Sequence, residues 1–220
     1  MDKFIKAGYY KFFFMHDLFL QNFLKAFVAI DPISLIPILT IITQGLNTKK
    51  TIKLSGFVFL ITCSVLIFFS LYGYSFLIFM GISISSFQII GGFFLLIISY
   101  EMVFEKRVKR KTTLANELID EHELNNLAVF PISIPLVAGP SAITLSVLIS
   151  KDINFTMVSF YTQIFPLVLT LFLTSIIIIF SNFFMKLFNK TIMNVLQKLF
   201  GLILGALAVE YVITGWNLTT

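Results

Sequence analysis

Apolar residues run through this chain in blocks far longer than a soluble helix offers, and they do not alternate as strands do. No charged side chain occurs between positions 54 and 100, or between 153 and 185. A helix crosses the hydrocarbon core with about 20 apolar residues, so both blocks exceed a single span. The missing period of two excludes a transmembrane barrel and leaves a helical bundle. The pattern predicts six spans, over 17–44, 54–73, 82–104, 124–149, 155–181 and 192–214. The first and fourth are both long and contain most of the prolines.

The polar positions inside these blocks repeat. Gln88, Gly92, Leu95, Glu101 and Val103 recur as Gln197, Gly201, Leu204, Glu210 and Val212, a constant offset of 109. Two aligned apolar helices share roughly two identities by chance, so five over 87–104 against 196–213 is suggestive on its own. A second pairing strengthens it: Asp31-Pro32 and Gly139-Pro140, offset by 108, each interrupt a long apolar segment. Each half has three spans, so the second enters the membrane from the opposite side. The expected fold is an all-α integral membrane protein whose six transmembrane helices form two inverted three-helix repeats with broken first helices. Its parts are an interfacial N-terminal lead-in (1–16), the first repeat (17–104), a cytoplasmic linker (105–123), the second repeat (124–214) and a short tail (215–220).

Composition agrees and narrows the class. The chain is 58% hydrophobic with a mean hydropathy of +0.96, outside the soluble range. Lys3, Lys6 and Lys11 interrupt the N-terminal apolar stretch, so it reads as an interfacial segment rather than a cleavable signal peptide. Alternate loops place Lys49, Lys50, Lys53, Lys106, Arg107, Lys109, Arg110, Lys111, Lys186 and Lys190 on one face, against Lys3, Lys6, Lys11 and Lys151 on the other. The positive-inside rule then sets the odd loops in the cytoplasm and both termini in the periplasm. The linker divides into a basic half and an acidic half (Glu117, Asp120, Glu121, Glu123), which reads as a solvated, headgroup-facing joint and not a nucleic-acid surface.

Candidate chemistry sits at the breaks. Pro32 removes a backbone donor, its ring opposes the carbonyl of Val28, and Pro37 repeats the effect one and a half turns later. In lipid the freed groups need protein, water or a ligand. Asp31 lies near mid-span, where a carboxylate faces the bundle interior. The fourth span carries Pro131, Pro135 and Gly139-Pro140, followed by Ser141 and Thr144. Read together, Asp31, Pro32, Ser34, Gly139, Pro140, Ser141 and Thr144 form the candidate solute site. Asp31 would be the partner of a cation, proton or ammonium group, and the hydroxyls its ligands. The alternative is a pair of kinked helices whose hydroxyls bond back to the chain.

A second set forms helix seams. Gly81, Ser85, Gln88 and Gly92 share one stripe of the third span, and Gln197 and Gly201 one stripe of the sixth, with Gly205 at its edge. Glu101 and Glu210 lie about 140° away and near helix ends, where snorkelling, or pairing with Lys106 for Glu101, is expected. His16 and His122 lie outside the spans, which argues against a histidine relay, a Ser-His triad or a metal site. Gly91-Gly92 lacks the Lys and Ser/Thr of a phosphate loop. Cys63 is a packing residue. No catalytic residue, cofactor or metal is expected; the partners are the lipid bilayer, a small polar solute and, in an oligomer, further copies of the chain, with no nucleic acid.

The stretches Asp31-Pro-x-x-x-x-Pro37, Met80-Gly-Ile-Ser-Ile-Ser-Ser-Phe-Gln-Ile-Ile-Gly-Gly92, Pro131-x-x-x-Pro-Leu-Val-Ala-Gly-Pro140 and Gly201-Leu-Ile-Leu-Gly-Ala-Leu resemble the MarC family of bacterial inner-membrane proteins, across 17–216. The resemblance implies a six-span inner-membrane protein. Some relatives are described as neutral amino-acid transporters, and the association with antibiotic resistance does not imply efflux. Ser34 and Ser141 stand where relatives often carry Gly, which changes the expectation for substrate and not for architecture. A secondary transporter of a small polar solute is therefore the leading expectation. The alternative is a non-transporting helper or assembly partner that uses its seams to bind another subunit.

Overall fold

The computed structural model describes residues 2–107, 128–153 and 156–218. Every regular element among them is helical: α1 (Asp2–Ile30), α2 (Pro32–Thr43), α3 (Thr48–Phe79), α4 (Ile84–Val103), α5 (Pro140–Ser150), α6 (Met157–Ile179), α7 (Ser181–Leu187) and α8 (Lys190–Asn217). Four are long and apolar enough to cross a membrane unaided, namely α3, α4, α6 and α8. The count reaches six when α1–α2, bent by 42°, and Ala128–Val137 with α5, bent by 68°, each serve as one span.

Inside and outside follow the bilayer. Phe79, Leu60, Leu202 and Phe183 are exposed, while Ser55, Thr62, Ser70, Thr170 and Thr174 are buried. Lipid solvates the first set, and hydroxyls turn inward because hydrocarbon offers them no partner. Thr62, Thr170 and Thr174 donate to the carbonyls four residues back, at 2.7–2.9 Å. Ser55 instead crosses between helices, its Oγ 2.8 Å from the Ser175 carbonyl and hydroxyl.

The helices end where the sequence stops them. Asn47, Ser83 and Asn189 cap α3, α4 and α8 through side-chain oxygens that accept from the amides three residues on. Gly81 closes α3, with φ of 71°. Its amide donates to the Ile78 carbonyl and that of Ile82 to the Leu77 carbonyl, the paired bonds of a Schellman turn. Gly81 therefore lies off the seam: it is exposed, and an added Cβ would meet nothing within 4 Å. Its place is the α3–α4 turn, because positive φ cannot sit inside a helical stripe.

Three other expectations change. The lead-in is no separate element, since α1 is continuous from Asp2 to Ile30. Residues 215–217 of the expected tail continue α8. The fourth span is broken in more places than Gly139-Pro140: Phe130 and Ile134, each preceding a proline, are extended at φ/ψ of −136/126° and −130/123°. Proline sterics disfavour helical backbone at the preceding residue, so the helical path of Ala128–Val137 is interrupted at these two positions before α5 begins. Lys109, Arg110, Lys111 and the acidic half of the linker lie outside the described residues.

The closest helix pair is α4 with α8, which run antiparallel. A Cβ on Gly92 would meet Val212 Cγ2 at 2.6 Å and the Ala208 carbonyl at 2.7 Å. One on Gly201 would meet Val103 Cγ2 at 3.0 Å and the Ser99 carbonyl at 3.2 Å. Subtracting the offset of 109 from Val212 and Ala208 returns Val103 and Ser99. Each glycine thus packs on the counterpart of the residues that its own counterpart packs on. Gly205 adds to the seam against Ser99, whose hydroxyl donates to the Gly201 carbonyl at 2.7 Å.

Other contacts recur in the same sense. α3 packs on α5 while α6 and α7 pack on α2; α1 packs on α6 while the Ala128–Val137 segment packs on α3. At the far ends, Ser150 Oγ accepts from the Tyr74 amide at 2.7 Å, and Thr43 Oγ1 lies 2.9 Å from Ser181 Oγ.

Candidate functional site

The first break is a single residue. The Asp31 amide still completes the last turn of α1, donating to the Phe27 carbonyl at 2.9 Å. The chain then reverses its twist, with φ 55° and ψ 62° at Asp31, and Pro32 starts α2 at its first position. Pro is tolerated there because that amide has no intrahelical partner. Aspartate is among the few residues that adopt left-handed backbone, at a cost of about 1–3 kcal/mol. Such local strain persists when surrounding contacts enforce it.

Those contacts come from the linker. The Asp31 carboxylate is fully buried, and its Oδ2 lies 3.2 Å from Arg107 Nε, itself 4% exposed. Arg107 follows a turn at Glu105, where φ is 59°, and Glu105 Oε1 ties that turn to Lys198 Nζ at 2.9 Å. This corrects the expectation that the whole basic half of the linker faces headgroups. A buried carboxylate in lipid requires a cation, and the one in contact with Asp31 is Arg107. Lys106 faces outward, its Nζ 5.0 Å above the Tyr100 ring. Glu210 is exposed.

The two breaks touch. Ser141 Oγ donates to the Ala29 carbonyl at 2.5 Å, serving a group at the interrupted end of α1. Ser34 Oγ donates to the Asp31 carbonyl at 3.1 Å. Both hydroxyls thus bond back to the chain at the junction, as the kinked-helix alternative anticipates. Gly139 begins α5 in extended conformation with Pro135 O within 2.9 Å of any added Cβ, so only glycine fits the approach. Pro140 is exposed. Thr144 is buried against α4, its Cγ2 2.6 Å from a Cβ built on Gly91.

Around this junction lie two cavities at opposite ends of the bundle. The first, about 280 Å³, lies between α1, α4 and α5 beside the α5–α6 turn and is lined by Asn22, Lys25, Gln88, Lys151, Asp152, Gln163 and Tyr211 together with leucines. The second, about 300 Å³, lies between α2, α7 and α8 and is lined by Ile33, Ser34, Pro37, Asn194 and Gln197 with two methionines. α4 and α5 border the first, α8 and α2 the second. Gln88 and Gln197 are 7% and 3% exposed, and each keeps one amide atom without a hydrogen bond, Oε1 in Gln88 and Nε2 in Gln197. A buried amide without its hydrogen bond, in a side chain that lines a cavity, is a candidate contact for a polar ligand.

The site therefore divides differently from the sequence reading. Asp31, Pro32, Gly139 and Ser141 converge at the junction, Ser34 joins the second cavity, and the glutamines assigned to seams line the cavities. Arg107, Lys25 and Asp152 are additional. Lys25 carried a signal, being a lysine inside an apolar span; Arg107 carried none, since a basic loop ordinarily faces solvent. Among the described residues no cluster of His, Cys, Asp and Glu could hold a metal ion.

Residues 16–219 match the profile of the MarC family integral membrane proteins. A UPF0056 membrane protein of Buchnera aphidicola from Acyrthosiphon pisum is 30% identical over 90% of this chain and 92% of its own length. One from Methanocaldococcus jannaschii is 28% identical over 90% and 86%, and one from Bacillus subtilis 25% identical over 91% and 95%. These names state a membrane protein and specify no substrate or reaction. No solved structure matches. With its profile matched almost end to end, this chain belongs to the MarC family of multi-pass integral membrane proteins.

Proposed function

We propose that the protein is a secondary transporter of a small polar solute, built as two inverted three-helix repeats that exchange conformations around the junction of the breaks. One observation carries the reading: two cavities of similar size lie at opposite ends of the bundle, each lined by one of the two glutamines that recur at the offset of 109 and that keep a buried amide atom without a hydrogen bond. A helper protein has no need of two such cavities. The reciprocal packing of Gly92 and Gly201 supports the inversion, since a two-fold axis in the membrane plane makes equivalent helices antiparallel neighbours. Asp31 keeps the role of an interior carboxylate with a cationic partner, and in this conformation that partner is Arg107.

The cell membrane of a bacterium is the site of action, with the linker end cytoplasmic by its positive charge. Purified protein in liposomes is the direct test. Uptake of labelled solutes is measured across a panel of neutral amino acids, the class implied by the family resemblance, and small hydroxy acids, with and without a proton gradient. Saturable uptake of one of them is expected. No uptake across the panel under either condition removes the transporter reading for these solutes.

A further inference from the structure

We infer that the cavity between α1, α4 and α5 is a solute-binding site for a small organic monoanion, with Lys25 holding its acidic oxygens and the Gln88 amide its hydroxyl or amide group. The assignment rests on the transporter reading and adds ligand chemistry to it.

Lys25 lies in α1, five residues before its end at Ile30 and inside the apolar stretch expected to span the membrane. It shares a face with Leu18 and Asn22, and all three line the cavity. A lysine in a membrane span is retained where it meets an opposite charge or lines a polar space. Among the described residues Lys25 forms no ion pair. Asp152 also lines the cavity without an ion pair, its backbone carbonyl accepting from Gln163 Nε2 at 3.2 Å. The charged groups of the lining are thus Lys25, Lys151 and Asp152, a sum of +1. One negative charge on the solute neutralises that sum, whereas a zwitterion or an uncharged solute leaves it in place.

Gln88 supplies the second contact. Its side chain is more than nine-tenths buried, lines the cavity and has no partner for Oε1. An amide presents an acceptor or, turned over, a donor, so it pairs with a hydroxyl as readily as with an amide. A buried polar atom of this kind favours ligands that complete its hydrogen bond over those that cannot. The volume of about 280 Å³ is at the lower bound for ligand pockets, which selects solutes of a few carbons. The second cavity has no charged residue in its lining, so tight binding of an anion is specific to the first.

Titration calorimetry on the detergent-solubilised protein tests this with glycolate, lactate and alanine as probes. Glycolate or lactate is expected to bind at least about tenfold tighter than alanine. Lys25→Met should weaken that binding by about tenfold or more, Lys25→Arg should retain most of it, and Gln88→Ala should weaken it several-fold. Equal or tighter binding of alanine, no binding of either carboxylate, or wild-type affinity in Lys25→Met overturns the assignment. If Lys25→Met does not fold, Lys25→Arg and Gln88→Ala decide: wild-type affinity in Gln88→Ala, or loss of carboxylate binding in folded Lys25→Arg, counts against it. Parallel uptake in liposomes separates the two readings. Carboxylate binding without any uptake keeps the site and removes the transporter; uptake of alanine alone keeps the transporter and removes the site.

Discussion

Asp31 and Arg107 are withdrawn from water together, and each makes the other tolerable. Burying either charge alone costs several kcal/mol, while a buried pair contributes little net stability relative to a neutral apolar replacement. The contact at 3.2 Å between two side chains at most 4% exposed therefore predicts a characteristic asymmetry. Asp31→Asn keeps a residue that accepts left-handed backbone, so it removes the charge and leaves the turn intact. It is expected to destabilise by about 3–5 kcal/mol, as is Arg107→Met. The double variant should recover most of the loss, because no orphan charge remains. Reversible unfolding of the four proteins in detergent gives the coupling energy by a double-mutant cycle. Additive losses would mean that the two groups do not act as a pair. Being buried, the coupling should also survive high salt.

The α4–α8 seam is held by absent side chains. On Gly92 a Cβ would approach the Ala208 carbonyl at 2.7 Å and Val212 Cγ2 at 2.6 Å, and backbone cannot yield as a side-chain tip can. Gly92→Ala should therefore force the helices apart and lower stability by about 1–3 kcal/mol. Gly56→Ala in α3 is the control, since nothing lies within 4 Å of its Cβ. There alanine should be neutral or stabilising by up to about 1 kcal/mol through helix propensity. Equal melting temperatures for the two variants would remove the seam from the account. This seam was legible from sequence because small residues at helical spacing, repeated at a fixed offset, have few explanations other than close contact. The breaks were legible for a similar reason, each being a proline inside an apolar block. What periodicity could not reveal was conformation beside the prolines of 128–137 or the destination of a loop arginine. Both depend on contacts made across the bundle, and Gly81 shows the converse: it matched the stripe by spacing and yet serves a turn. The glutamines were placed on the right face, but a face of a helix does not say whether its neighbour is a side chain or a cavity.

At the scale of the whole molecule the two halves interlock, because each broken span packs on a helix of the other half. A relative movement of the halves must then change both cavities at once. On the transporter reading, closing the one between α1, α4 and α5 would separate α2 from α8, since α5 and α2 flank the two helices of the α4–α8 pair. This coupling predicts opposite responses at Leu148 and Met193, which line the first and second cavities. In a Cys63→Ser background, Leu148→Cys and Met193→Cys would each be labelled with a membrane-impermeant maleimide in sealed vesicles of known orientation. Leu148→Cys should react from the periplasmic face and Met193→Cys from the cytoplasmic face, following the positive charge of the linker end. Adding a solute that is taken up by the liposomes should slow one reaction and speed the other, because stabilising one arrangement depletes its alternative. If both positions react from the same face, or both slow together, the halves do not exchange roles across the membrane. A rigid scaffold would instead give labelling rates that the solute leaves unchanged at Met193 even while it shields Leu148.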